Sequence, residues 1–185
     1  MRILVLDIET SGFNHTKDVI FEIGAVELNL ETGEIIPKFD QMFREKHLCA
    51  RHREAWIFSN SDMKIEDVRN SPAFEDVKDD IQKLFNQYLG RIVAFNRPFD
   101  ADFLKSRGFN LGEDMGDPMR DSTKYFNIPH KNGRGIKWPS VQNAWDILFP
   151  DKPIKEAHRG FQDSSDEAKI MYELYKRKVI WQNLV

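Results

Sequence analysis

The chain begins with RILVLDIE, apolar at nearly every position until two carboxylates, Asp7 and Glu9, interrupt it. An almost unbroken run of Leu, Ile and Val fits a buried strand. VIFEIGAVELNL and IIPKFDQMF read as a second and a third strand, joined through a turn at Thr32-Gly33. Three strands joined this closely predict an antiparallel meander. Residues 44–72 are polar and mixed and predict short helices and loops. The period then changes. In SPAFEDVKDDIQKLFNQYL, Val77, Ile81, Leu84, Phe85 and Tyr88 fall at helical spacing, with Ser71 placed to cap and Pro72 at the first helical position. RIVAFN predicts a short buried strand, and RPFDADFLKSRG a helix opening with Pro98 and stopping at Gly108. Residues 109–142, rich in Gly, Pro and charge, predict mostly loop. VQNAWDILF predicts a short helix ended by Pro150. QDSSDEAKIMYELYKRK predicts the last helix, with Ala168, Met171, Leu174 and Tyr175 on one stripe. Strands first, then helices and strands in alternation, predict a mixed α/β fold around one central sheet.

Composition narrows the class. A length of 185 residues suits one domain, residues 1–185, with its own core. Hydrophobic residues at 41% and aromatics at 12% fit a folded chain rather than a disordered one. The formal net charge of -3 excludes a broadly basic surface, so any contact with nucleic acid runs along a small basic track. The single cysteine, Cys49, excludes an internal disulfide and suits a reducing cytosol. No apolar run is long enough to span a bilayer, and no signal peptide is recognisable. The expectation is a cytoplasmic protein without a membrane partner.

Candidate chemistry starts at the two carboxylates. Side chains alternate along a strand, so Asp7 and Glu9 share a face. Like charges on one face repel, and burial strengthens the repulsion. Hard divalent cations prefer oxygen ligands and are held by clustered carboxylates. Further donors exist: Asp100 lies one turn into a helix just after a buried strand. His158 stands five residues before Asp163, where the last helix starts. Strand ends and helix starts are where functional groups collect in such folds. Four carboxylates and one histidine can therefore converge from distant parts of the chain.

At these residues the sequence resembles the DEDDh group of 3'→5' exonucleases, which includes polymerase proofreading subunits and RNase T. The group's first motif, D-x-E-T-T/S-G, is matched by DIETSG. The second, H/F-N-x-x-F-D-xx-F-L, is matched by FNRPFDADFL, and the third, H-x-A-xx-D, by HRGFQD with Gly160 where Ala is usual. VIFEIGAVELN and RDSTKYF also fit, and the resemblance extends to about residue 178. It implies an RNase H-like fold: three antiparallel strands, then parallel strands, flanked by helices. It implies that Asp7, Glu9, Asp100 and Asp163 bind two ions of Mg²⁺ or Mn²⁺ and that His158 is the general base, on a mobile loop that Gly160 suits. Thr10, Ser11, Gly12 and Phe13 are expected to line the site of the 3'-terminal nucleotide, with Asn96 as a further contact. The implied reaction is two-metal-dependent removal of 5'-mononucleotides from single-stranded DNA or RNA 3' ends, in proofreading or end trimming. Degradation of very short RNA, as by oligoribonucleases, is the nearest alternative. A weakly catalytic binding module of a replication complex is the alternative from another class. A polymerase partner and a homodimer both remain open.

Other features have plainer readings. Asp102 is the alternative ligand to Asp100, which the motif match favours, and Asp166 and Glu167 read as solvated acids favoured by the helix dipole. His47, Cys49 and His52 lack a second ligand pair for structural zinc. Phe13, Phe58, Phe95 and Phe161 are candidates to stack bases, with Phe95 and Phe99 suited to the core. Lys124, Lys131, Arg134 and Lys137 lie in a glycine-containing segment that suits either phosphate contact or plain solvation. Trp181 and Leu184 are expected to pack on the core or on a partner.

Overall fold

The computed structural model describes residues 1–182, so Leu184 lies outside the described residues. Strand β1 (Arg2–Thr10) pairs antiparallel with β2 (Ile20–Asn29), and β2 pairs antiparallel with β3 (Ile35–Met42). On its other side β1 pairs parallel with β4 (Ile92–Val93), giving the order β3-β2-β1-β4. The predicted meander and mixed sheet are both present. β4 is shorter than RIVAFN suggests: only Leu4↔Ile92 and Val5↔Val93 are in register, and the chain then turns into helix α4 (Arg97–Ser106). The edge continues by one bond, because Met119 N–H donates to the Phe95 carbonyl at 3.0 Å.

Alternation along β1 sorts its side chains between two layers. Leu4, Leu6 and Ile8 face a cluster that includes Ile81 and Phe85 of α3 (Phe74–Gln87) and Phe103 and Leu104 of α4. Ile3 and Val5 face the opposite cluster with Trp145 and Leu148 of α7 (Val141–Leu148) and Met171 and Leu174 of α8 (Gly160–Lys176). Both layers bury apolar surface at roughly 25 cal/mol per Å², which is why β1 carries no polar residue between the exposed Arg2 and Asp7. A third cluster, with Phe21, Ile57, Met63 and Val68, lies beneath the short helices α1 (Ile57–Asn60) and α2 (Ile65–Asn70).

Two helix starts differ from the sequence reading. α3 begins at Phe74 with Ala73 as its N-cap. Ser71 is used elsewhere, its hydroxyl donating to the Asp67 carbonyl at 2.8 Å, and the Pro72 carbonyl accepts from Arg44 N–H. α8 begins at Gly160, ahead of the predicted start, because the Asp163 carboxylate takes up amides just before the helix. Residues 109–142 are not all loop. They contain α5 (Pro118–Asp121), capped by the Asp117 side chain, and α6 (Thr123–Phe126). The basic segment is an ordered turn closed by a Pro129↔Ile136 bridge, with Lys131 and Arg134 exposed at its tip.

One close approach sets the height of α8 above the sheet. A Cβ on Gly24 of β2 would stand 1.9 Å from the Gly160 carbonyl carbon and 2.0 Å from the Phe161 nitrogen. A Cβ on Gly160 would stand 2.6 Å from the Gly24 nitrogen. Backbone meets backbone here, so neither position admits a side chain without moving the helix. Gly160 was expected to loosen a loop. It is instead buried as the first residue of α8, and its N–H donates to Glu22 Oε2 at 3.0 Å.

Candidate active site

The site forms where β1 ends, on the α8 side of the sheet. Asp7 pairs with Gly24 and Glu9 with Glu22, and a bulge follows between Glu9 and Thr10. Asp7 and Glu9 point to the face carrying Ile3 and Val5, as the alternation requires. Asp100, buried on α4, reaches between them: its Oδ1 accepts from Ile8 N–H at 3.3 Å. Asp163, on the first turn of α8, accepts from Ala157 N–H at 3.2 Å through Oδ1 and from Arg159 N–H at 3.1 Å through Oδ2. His158 lies between those two amides with a left-handed φ of 52°. Glu9, His158 and Asp163 each bring a ligand atom within 4.8 Å of the other two. The Asp7 carboxyl lies within the electrostatic reach of Glu9, Asp100 and Asp163.

This crowding acts on the acids. Burial, then the charges of Glu9 and its neighbours, hold the Asp7 carboxyl well above the usual range. Burial, then Asp163, pushes Glu9 up to about 9. Burial pushes Asp100 up to about 8. The nearby cation Arg159 is already spent: it forks onto Glu22 at 2.8 and 3.0 Å and reaches Asp62 at 2.8 Å. The donor set, all oxygen plus one imidazole, fits hard divalent cations, which would relieve the repulsion.

A pH effect follows for the protein without cations. From about pH 4 the native state keeps protons that the unfolded chain has released, on Asp100 up to about pH 8 and on Glu9 up to about pH 9. Stability therefore falls as pH rises through that window. In EDTA, the midpoint of thermal unfolding by circular dichroism is expected to drop by about 5 °C or more from pH 6 to pH 9, since about 1 kcal/mol moves it 2–4 °C at this size. Mg²⁺ or Mn²⁺ should remove most of the difference; a flat profile in EDTA would contradict the carboxylate cluster.

The terminal-nucleotide candidates line the adjoining loop. Thr10 donates its hydroxyl to the Gly12 carbonyl at 2.7 Å, and Ser11 Oγ accepts from Val19 N–H at 3.0 Å. Gly12 is closed in by Asp18, whose Oδ2 would stand 2.6 Å from a Cβ there. Phe13 is 91% exposed, with its ring edge-on to Phe99 at 6.2 Å. Asn96 is exposed at the N-cap of α4. The other aromatic candidates are not free: Phe95 is core, Phe58 packs on Phe21 at 5.0 Å, and Phe161 is partly buried over α8. Both ring nitrogens of His52 are engaged, with Cys49 N–H and Arg51 Nε, and among the described residues His47, Cys49 and His52 form no metal-holding group.

Three neighbours escaped the sequence reading. Glu167 is not solvated: it is buried, its Oε2 accepts from Phe95 N–H at 3.1 Å, and it acts electrostatically on Asp7. Its spacing of four from Asp163, one helical turn, was the available signal. Asp166 is also buried, paired with Lys169 at 2.7 Å. Trp56, 60% exposed, stands edge-on to His158 with ring centroids 4.7 Å apart, and no periodicity marks it.

A sheet of this order, with acids gathered from its central strand and two helices, defines a nuclease-like centre, and the comparisons give its class. The family model described as Exonuclease, of RNase T type, matches residues 4–171, and the chain belongs to that family. It is 26% identical over 180 residues to DNA polymerase III PolC-type of Clostridium perfringens, covering 94% of this chain and 11% of that protein. It is 25% identical over 175 residues to the 3'-5' exonuclease DinG of Staphylococcus epidermidis, covering 94% of this chain and 18% of that protein. The chain thus spans less than a fifth of the length of these relatives. The fold is shared with the nuclease domain of 3'hExo, a DEDDh family member bound to rAMP: TM-score 0.67, 15% identity, 95% of this chain and 92% of that one. It is shared also with E. coli Exonuclease I in complex with a dT13 oligonucleotide: TM-score 0.73, 12% identity, 96% of this chain and 41% of that one. No helix among the described residues is long and apolar enough to cross a membrane.

Proposed function

We propose that residues 1–185 act as one catalytic domain, a 3'→5' exonuclease that releases 5'-mononucleotides from single-stranded DNA or RNA ends. The observation that carries this reading is the convergence of Asp7, Glu9, Asp100, Asp163 and His158 at the end of β1. Asp7, Glu9, Asp100 and Asp163 would hold two Mg²⁺ or Mn²⁺ ions, which supply charge neutralisation to an in-line displacement at phosphorus. His158 takes the proton of the attacking water, the general-base role that an imidazole commonly fills in hydrolysis. Trp56 holds the imidazole on its outer side, and the exposed ring of Phe13 stacks on the terminal base. The match to PolC-type polymerases and to DinG supports work at replicating or repaired ends in the cytoplasm, with a polymerase as partner.

The test is digestion of 5'-labelled single-stranded DNA and RNA with Mg²⁺ or Mn²⁺. A ladder shortening from the 3' end is expected. EDTA should abolish it, and His158→Ala should slow it by about 10²- to 10⁴-fold. Full activity in His158→Ala would remove the histidine from the mechanism.

A further inference from the structure

Away from the carboxylates lies a cavity of about 850 Å³ that the proposed chemistry leaves unused. Four separate parts of the chain wall it: the loop after β1 (His15 to Asp18), the segment after β3 (Glu45 to His52), the start of α3 and the end of α4. Five of its lining residues are cations, Lys17, Lys46, Arg51, Lys78 and Arg107, against the three acids Asp18, Glu45 and Glu75. Two of the cations are structural. Arg107 grips Glu45 through two bonds of 3.0 Å and also holds the backbone carbonyls of His15 and Asp18. Arg51 leans toward Asp18 at 3.7 Å. Lys17, Lys46 and Lys78 have no acidic partner within ion-pair distance among the described residues. A chain of net charge -3 thus gathers unpaired positive charge in one concave place.

The cavity is joined to the carboxylate site. The loop that leaves Glu9 passes through Thr10 to Phe13 and enters the cavity wall at His15. The wall is braced from the core side by a row of rings: exposed Phe13 on partly buried Phe99 at 6.2 Å, Phe99 on buried Phe103 at 5.0 Å, and Phe103 on His15 at 6.3 Å. Phe99 is the neighbour of Asp100, so the row starts at the site itself. Resting on the exonuclease reading, we infer that this cavity binds phosphodiester groups of the same strand a few nucleotides upstream of the end being cut. Lys17, Lys46 and Lys78 are the phosphate contacts, and Arg107 and Arg51 hold the walls. Single-strand sites of about 4–16 nucleotides combine such cationic grooves with exposed rings, and Phe13 is the exposed ring between this groove and the carboxylates. The cavity therefore makes the enzyme sensitive to strand length.

The experiment compares a dinucleotide with a strand of about twelve nucleotides sharing its 3' end, within the site sizes such grooves cover. The variant is Lys17→Gln/Lys46→Gln/Lys78→Gln. A second, Lys17→Glu/Lys46→Glu, leaves the partly buried Lys78 in place. Both variants should raise KM for the longer strand about tenfold at low salt. The triple variant should also lower the slope of log KM against log salt by about 2, since each single-strand phosphate contact carries about 0.7. The kcat/KM for the dinucleotide should stay unchanged. An unchanged KM and salt slope for the longer strand overturns the inference, as does an equal loss on the dinucleotide. If the wild-type protein cleaves neither substrate, the exonuclease reading fails by itself. Fluorescence anisotropy of the labelled longer strand in EDTA then decides the cavity: weaker binding by the triple variant supports it, and equal binding overturns it.

Discussion

Asp7→Asn is expected to cut turnover of a single-stranded substrate by about a thousandfold or more, while raising the thermal midpoint of the protein in EDTA by about 5 °C. The two effects share one cause. Asp7 faces Glu9, Asp100, Asp163 and Glu167, and burial with their charge holds its carboxyl well above the usual range. The fold therefore carries an electrostatic strain that cations would relieve. Asparagine keeps the shape, is neutral without taking up a proton in the buried site, and removes a ligand of the proposed ions. Activity and stability should move in opposite directions, which a merely structural aspartate would not produce. Calorimetry in EDTA beside a single-turnover assay measures both. An Asp7→Asn protein with near-normal turnover would break the site assignment, and one with a lowered midpoint would break its electrostatic basis.

Gly24→Ala should be strongly damaging for so small a substitution. The new methyl carbon would lie 1.9 Å from the Gly160 carbonyl carbon, far inside contact distance, and both atoms belong to secondary structure. α8 must lift off β2 or the strand must bend. Overpacking of this kind costs about 1–3 kcal/mol, and the absence of any flexible partner puts this site at the upper end. The expected drop in thermal midpoint is about 10 °C. Activity of the folded fraction should fall as well, because α8 carries Asp163 and the lift opens its distance from Glu9. Thermal unfolding with a nuclease assay well below the midpoint separates the two losses. A stable and fully active Gly24→Ala protein would mean that α8 does not sit on β2 as described.

The hydrophobic pattern carried the central features of the fold. β1 and β2 were legible because burial on both faces leaves an apolar run, and the sharing of a face by Asp7 and Glu9 follows from strand geometry alone. Asp100, His158 and Asp163 were legible through their motifs, with Asp100 and Asp163 also marked by their places at helix starts. Glu167 was not, because an acid near a helix start is ordinarily favoured by the dipole in water. Its burial depends on which face of α8 meets the sheet, a tertiary fact. The end of β4 was misjudged for a related reason: a helix side chain, Glu167, takes the Phe95 amide that a longer strand pairing would have used. The cationic cavity was invisible because Lys17, Lys46 and Lys78 belong to separate elements and the net charge conceals them.

The third motif, a histidine followed five residues later by an aspartate, is also a mechanical unit. Asp163 uses both of its oxygens to hold the amides on either side of His158. The residue that would bind cation is thus the residue that fixes the backbone of the proposed proton acceptor. Exchange of Asp163 for another residue removes an acid from the cluster and also releases the segment carrying the imidazole. Losses at the two positions then overlap rather than add, and a double substitution reads much like either single one. The spacing of this motif is therefore a coupling distance: under the proposed mechanism it lets one carboxylate serve two parts of the reaction, and it leaves neither part able to vary alone.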